Sequence, residues 1–291
     1  MFAGFDTVDV DIDGVRIHAR VGGEGPPVLL LHGYPQTHVM WYQVAPALAD
    51  LHTVVAADLR GYGDSGKPAS VADHASYAKR AMAADMAGLM TALGHERFTL
   101  VGHDRGARVA HRLCLDHPDR VERAAVLDIV PTRHVFANVD RALATIYDHW
   151  FFLAEPSDLP EVLIGGAPEY FLRRKLEQWS GPDAAFNEEA MTQYVRCFSD
   201  PETIRASCED YRAAASIDLD HDNADIAAGH RMLCPLLVLW AARGYVGAAY
   251  DVLEVWREYA DDIRGQAVDC GHFLPEEAPS ETVMALRDFL A

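Results

Sequence analysis

Hydrophobic positions along the chain first alternate and then run together. Residues 5–12 alternate, with Val8, Val10 and Ile12 on one side, and Asp13-Gly14 offers a hairpin turn into Val15, Ile17 and Ala19. This pattern predicts an antiparallel pair at the start. After the glycine- and proline-rich stretch 22–27 comes the unbroken apolar run 28–31, which suits a strand buried on both faces. Runs of the same kind recur at 53–57, 98–101, 124–127 and 236–240. Helical spacing lies between them, clearest over 75–93 and 106–115. Strands alternating with helices predict an α/β fold, a mainly parallel sheet with helices on both faces.

From about Pro131 to Gly229 the alternation stops. Aromatic and charged residues mix there, as in HWFFL, EYFLRRKLEQW and CEDYRAAA, and no strand run is present, so the stretch reads as an inserted helical cap. Alternation then resumes with a helix over 252–259, a strand near 265–268 and a closing helix over 282–290. The expected organisation is a core of residues 1–131 and 230–291, interrupted by a cap over 132–229. There is no internal repeat, low-complexity tract or flexible linker.

Composition narrows the functions open to such a fold. The 291 residues are 50% hydrophobic and 24% charged, as in a soluble globular protein. Lys plus Arg number 25 against 44 Asp plus Glu, a formal charge of -19, which argues against nucleic acid or an anionic membrane surface as partner. A small anionic substrate stays compatible, because screening over roughly 8 Å leaves the potential of a cleft to its own arginines. The five cysteines are odd in number and form no C-x-x-C pair, so reduced thiols in a cytoplasm are expected and no zinc or redox site. MFAGFDTVDVDIDG has neither the basic nor the long apolar segment of a signal peptide. The longest apolar stretch, PLLVLWAA from Pro235, is too short to span a bilayer of about 30 Å.

The sharpest local feature is Gly102-His103-Asp104-Arg105-Gly106 between an apolar strand and a helix. It has the form of a nucleophile elbow with aspartate as nucleophile. Small residues are needed on both sides because the nucleophile sits on a strained turn pressed between strand and helix. Alone, the pattern fits equally an Asp104 that caps the helix beginning at Gly106. Context favours the elbow. His32-Gly33-Tyr34-Pro35 directly follows a buried strand, where a backbone oxyanion donor belongs, and the amides of Tyr34 and Arg105 would form the pair. The Gly-rich loop DLRGYGDS at 58–65 follows the next strand, and Asp269-Cys270-Gly271-His272 precedes the last helix.

These segments, in this order, resemble the α/β-hydrolase superfamily. By that resemblance His272 is the general base on the loop after the final strand. The acid usually precedes it by one strand, but the corresponding loop, WAARGYVG, holds no carboxylate until Asp251. Asp128, at the end of VERAAVLDIV, is the better candidate to orient His272, with Asp251 and Asp269 as alternatives.

An aspartate nucleophile attacks a saturated carbon and leaves an alkyl ester, whose hydrolysis needs an activated water. Haloalkane dehalogenases and epoxide hydrolases commonly carry tryptophan after that aspartate; this chain has Arg105, with Arg108 one helical turn on. Two guanidiniums beside the nucleophile point to a carboxylate substrate, held bidentately by a planar fork. In this register the chain resembles the haloacetate dehalogenases, in particular the fluoroacetate dehalogenases. The motifs are HGYPQT, DLRGYGDSG, GHDRGAR, the His149-Trp150 pair, CEDYR around Tyr211, and DCGHFLPEEAP, spread over nearly the whole length.

The resemblance implies that Asp104 is the nucleophile, that Arg105 and Arg108 bind the carboxylate of a small haloacid, and that Asp128 and His272 drive hydrolysis. It implies that His149, Trp150 and Tyr211 hold the halide, that no metal or organic cofactor takes part, and that the protein is a homodimer. An indole, a hydroxyl and an imidazole are suitable donors for departing fluoride. Read without the resemblance, Trp150 beside Phe151 and Phe152 is packing core. Tyr34 departs from the family, which often has phenylalanine there. Two other functions share these features: an epoxide hydrolase with the same triad, which needs acids in the cap, usually two tyrosines, and a non-catalytic carboxylate sensor on the same fold.

Overall fold

The computed structural model describes residues 1–291. Its eight strands are β1 (Asp6–Ile12), β2 (Val15–Gly22), β3 (Pro27–Leu31), β4 (Thr53–Ala57), β5 (Phe98–His103), β6 (Val121–Leu127), β7 (Leu236–Ala241) and β8 (Ile263–Val268). They form one sheet in the order β1-β2-β4-β3-β5-β6-β7-β8. β1 and β2 are an antiparallel hairpin turning at Asp13 (φ 49°) and Gly14 (φ 81°), two successive positive φ angles that match the twist of the strands. β2 joins β4 antiparallel, and every pairing from β4 to β8 is parallel. The central strands β3, β4 and β5 are buried almost throughout, which is why they read as unbroken apolar runs. β1 and β8, at the two edges, keep exposed positions.

Helices Lys79–Ala92 and Arg105–Asp116 pack on each other, and Val44–Leu48 packs on the closing helix Pro279–Leu290. Between β6 and β7 the regular elements are all helices, eight of them from Thr132 to Ala228. One of these, Pro201–Ala214, is buried over most of its length, where it meets the loop after β4 and the start of helix Arg105–Asp116. No helix is long and apolar enough to cross a membrane.

Two helical expectations shorten. The pattern over 75–93 resolves into a 3-10 turn, Ala75–Tyr77, an extended Ala78 (φ -60°, ψ 148°) and then helix Lys79–Ala92. The 3-10 turn follows His74, held in the left-handed region at φ 61°, which no glycine announces. The helix expected over 252–259 ends at Trp256, whose indole donates to the Ile129 carbonyl at 3.1 Å.

The junction of β5 with helix Arg105–Asp116 has no room for side chains beyond the hydrogen of its glycines. A Cβ at Gly106 would strike the backbone of Leu31 and His32, and one at Gly102 would strike Gly106 and Ala107. Gly106→Ala should therefore lose about 1–3 kcal/mol of stability as overpacking forces the backbone apart. Gly165→Ala, at a helix end where a Cβ meets nothing within 4 Å, should be neutral or gain up to about 1 kcal/mol. Urea unfolding of the two variants checks the contrast.

Candidate active site

Asp104 stands at φ 45° and ψ -114°, a conformation an L-residue adopts only when its surroundings impose it. It precedes helix Arg105–Asp116, yet its side chain makes no capping bond to that helix. The strained turn directs the carboxylate elsewhere: its Oδ1 accepts the Tyr34 N–H at 2.9 Å. The Arg105 amide, the second of the expected donor pair, makes no such bond to Asp104. Burial pushes the Asp104 carboxyl up, but the charges of His272, His103, Arg108 and Arg105 outweigh it, and the group sits below its ordinary value. It is held as a carboxylate.

His272 follows β8 and meets Asp128, at the end of β6, with Nδ1 2.6 Å from Oδ2. The other Asp128 oxygen accepts the Ala241 N–H at 2.9 Å, so the carboxylate is fixed from the end of β7. Of the alternatives, Asp269 is exposed and paired with Arg243, and Asp251 caps helix Val252–Trp256. Neither is bonded to His272. The His272 backbone is fixed as closely as its ring. Its N–H donates to the Trp179 carbonyl at 2.9 Å, and its own carbonyl accepts from His103 Nε2 at 2.7 Å. The Glu277 carboxylate accepts the amides on either side, from Gly271 and Phe273, at 2.9 Å each. Burial pushes the His272 imidazole down, but the bond to Asp128 and the charges of Asp128 and Asp104 raise it above its ordinary 6.5. His103 is the opposite case, lowered to about 3 by burial and then by His272, and so neutral.

Arg105 corrects the expectation of an open guanidinium fork. Its fork is closed on Asp210, with Nε 2.8 Å from Oδ2 and NH2 2.6 Å from Oδ1, while NH1 is buried with no partner. Arg108 makes no ion pair. One of its terminal nitrogens donates to the Val130 carbonyl and the Thr132 hydroxyl at 3.0 Å each, and its Nε has no partner. The two guanidiniums stack on aromatic faces, Arg105 at 4.1 Å from the Tyr211 ring centre and Arg108 at 4.5 Å from that of Trp150. The free cation of the pair is Arg108.

Around them the helices between β6 and β7 bring together His149, Trp150 and Tyr211. The Tyr211 ring lies 5.6 Å from His149, 6.2 Å from Trp150 and 5.3 Å from Tyr34. The hydroxyls of Tyr34 and Tyr211 and Nδ1 of His149 are buried without a partner. Burial above all, with the Lys175 charge, carries His149 well below its ordinary value and keeps the ring neutral. Leaving one such group unbonded costs about 1–3 kcal/mol. Several such groups on neighbouring rings are the kind of place that a polar ligand completes. A cavity of about 120 Å³ opens nearby between Tyr147, His149, Trp179, Tyr245 and the Asp128–His272 pair.

Sequence reasoning missed Asp210, Trp179 and Glu277. Asp210 stood inside the quoted CEDYR motif, directly before Tyr211, and an acidic residue of an amphipathic helix reads as solvated. Trp179 and Glu277 act through a backbone carbonyl and a loop clasp, which leave no spacing signal.

Residues 26–279 match the family model described as alpha/beta hydrolase fold. The chain belongs to this family. Among relatives of this α/β hydrolase, a fluoroacetate dehalogenase of Burkholderia sp is 46% identical over 100% of this chain and 95% of the relative. A soluble epoxide hydrolase of Corynebacterium sp. (strain C12) is 35% identical over 96% of this chain and 95% of its own. A crystal structure from Nostoc sp PCC 7120, described as an alpha/beta hydrolase, superposes with a TM-score of 0.98 at 56% identity, covering 100% of this chain and 99% of that one.

The His272–Asp128 pair generates a titration prediction. Because Asp128 holds the imidazole above 6.5 against burial, Asp128→Asn should bring its titration below 6.5, since burial then acts with less opposition. NMR of the ring signals over pH checks the direction. An unchanged midpoint would mean that Asp128 does not set the charge of His272.

Proposed function

We propose that this α/β hydrolase is a hydrolytic dehalogenase that converts fluoroacetate and other 2-haloacids to 2-hydroxy acids and halide. The observation that carries the reading is the setting of Asp104, an ionised carboxylate on a strained elbow beside an unpaired guanidinium and several unspent donors. The 46% identical fluoroacetate dehalogenase supports the same chemistry.

In this mechanism the substrate carboxylate rests on Arg108 and on NH1 of Arg105. An Asp104 oxygen attacks C2 from the side opposite the halogen, a C–O bond forms, and the carbon–halogen pair leaves with the halide. His149, Trp150 and Tyr211 receive that charge; a preorganised donor aimed at developing charge is worth about 2.7–4 kcal/mol. Attack converts Asp104 into a neutral ester. His272 thereby loses one of the charges that raise it, so its ring is more fully neutral and its free nitrogen is open to the water proton. Water, deprotonated by the free imidazole nitrogen, adds to the Asp104 ester carbonyl. The oxyanion is met by the amide of Tyr34 and, on this reading, that of Arg105. Collapse breaks the bond from the Asp104 carbonyl carbon to the alkoxide oxygen, which takes the proton held by His272 and leaves as the 2-hydroxy acid; the second water proton, left on the Asp104 carboxyl, is then released to solvent, and the carboxylate is restored.

The helices over 132–229 serve as the cap that carries the halide donors and keeps the carboxylate clamp dry. We assign the enzyme to the cytoplasm, in keeping with five cysteines that are all free. We assign a second copy of the chain to the apolar outer side of the cap, where Leu159, Val162, Leu163 and Tyr170 are exposed.

Epoxide hydrolysis is the second reading. It draws on Tyr34 and Tyr211, whose rings lie 5.3 Å apart and whose hydroxyls are both without a partner, as a pair of acids for an epoxide oxygen. The arginines favour the haloacid. Fluoride release from fluoroacetate, measured beside chloride release from chloroacetate, tests the assignment directly. Fluoroacetamide keeps the carbon–fluorine bond and lacks the charge, so it should react about ten- to a hundredfold more slowly in kcat/KM. No halide from either acid, together with opening of a small epoxide, would replace this reading with the second.

A further inference from the structure

Behind Arg105 lies a buried ion-pair network that the chemistry above leaves unused. Asp210, fully buried beside Tyr211 on helix Pro201–Ala214, accepts from Arg105 Nε and NH2, from the Tyr62 hydroxyl at 2.7 Å and from Lys79. An ionised carboxylate has about four acceptor sites, and all are filled here. Lys79 also reaches Asp218 at 3.4 Å, so two cations face two carboxylates and the network is charge-balanced. Its donors come from the loop after β4, from helix Lys79–Ala92 and from the residue next to Asp104.

That balance bears on the nucleophile. A carboxylate and a guanidinium in reach of each other form strong bidentate pairs. An uncompensated Arg105, one residue from Asp104, would tie up the oxygens that must attack carbon. Asp104 and Arg105 are nevertheless not paired, because Asp210 holds the fork and leaves NH1 alone uncommitted. We propose that Asp210 is a positioning residue that withholds Arg105 from Asp104, presents a single guanidinium nitrogen to the substrate carboxylate, and registers the neighbouring Tyr211 against the elbow. This rests on the dehalogenase reading for its consequence in turnover, and on geometry alone for its consequence in binding.

A cycle of wild type, Asp210→Asn, Arg105→Met and the double variant tests it, with kcat and KM on fluoroacetate, acetate affinity by calorimetry, and melting temperature. Asp210→Asn should lower kcat about a hundredfold, the cost of a misplaced reacting group. It should also weaken acetate about tenfold as NH1 turns away. Adding Arg105→Met should then raise kcat above that of Asp210→Asn, and should weaken acetate no further. Losses that multiply in both readouts would show Asp210 to be scaffolding only and overturn the proposal. Should the wild type release no fluoride, the functional reading fails, while the acetate cycle still decides the role of Asp210. If Asp210→Asn does not fold, Tyr62→Phe keeps every charge and removes one of the four bonds. It should lower kcat about two- to tenfold, and an unchanged kcat would count against the proposal.

Discussion

A backbone conformation that costs an L-residue about 1–3 kcal/mol is imposed on Asp104, and the rest of the site is arranged by that constraint. The turn exists because Gly102 and Gly106 let β5 and its helix approach until no Cβ fits between them. Gly33 does the same from the β3 side, lying against Asp104 itself, which brings the Tyr34 amide within hydrogen-bond reach of the carboxylate. Parallel pairing of β5, β6, β7 and β8 then sets the ends of those strands side by side, so Asp128 and the His272 loop are delivered to the same edge. The strain is borne by close packing of buried strands, the stiffest part of the molecule.

Electrostatics divides the site into compensated and uncompensated halves. Arg105, Lys79, Asp210 and Asp218 neutralise one another at the inner side of helix Pro201–Ala214. Arg108 has no carboxylate partner, and burial together with Arg105 lowers its affinity for a proton. An incoming anion relieves that situation. The donors proposed for the halide are neutral, since burial holds His149 uncharged and keeps Tyr211 from ionising. Neutral donors fit a leaving group whose charge appears only as the bond breaks, because they do not hold the enzyme to a resident anion beforehand.

Much of this was legible in the sequence wherever burial on both faces dictates composition. The runs at 28–31, 53–57 and 98–101 became β3, β4 and β5 with shifts of at most two residues. Asp128 emerged because the loop after β7 lacks a carboxylate, and the two alternatives proved to be exposed and otherwise engaged. The break at Ala78 was hidden because an extended alanine between two helical turns leaves no glycine or proline to announce it. Asp210 was hidden because its partner Arg105 lies 105 residues away, and a pair at that separation leaves no periodic trace. The open fork expected of Arg105 failed for the same reason: a guanidinium next to a nucleophile is visible in the sequence, but what already occupies it is not.

Everything above turns on whether Asp104 itself bonds to carbon. A single turnover of fluoroacetate with excess enzyme in heavy-oxygen water, followed by mass analysis of the peptide containing Asp104 and of the glycolate, tests this most directly. An ester hydrolysed at the Asp104 carbonyl places the label in the aspartate and leaves ordinary oxygen in the product. Label in the glycolate with an unlabelled Asp104 would mean that water attacked the substrate carbon, and the covalent role given to this residue would be wrong.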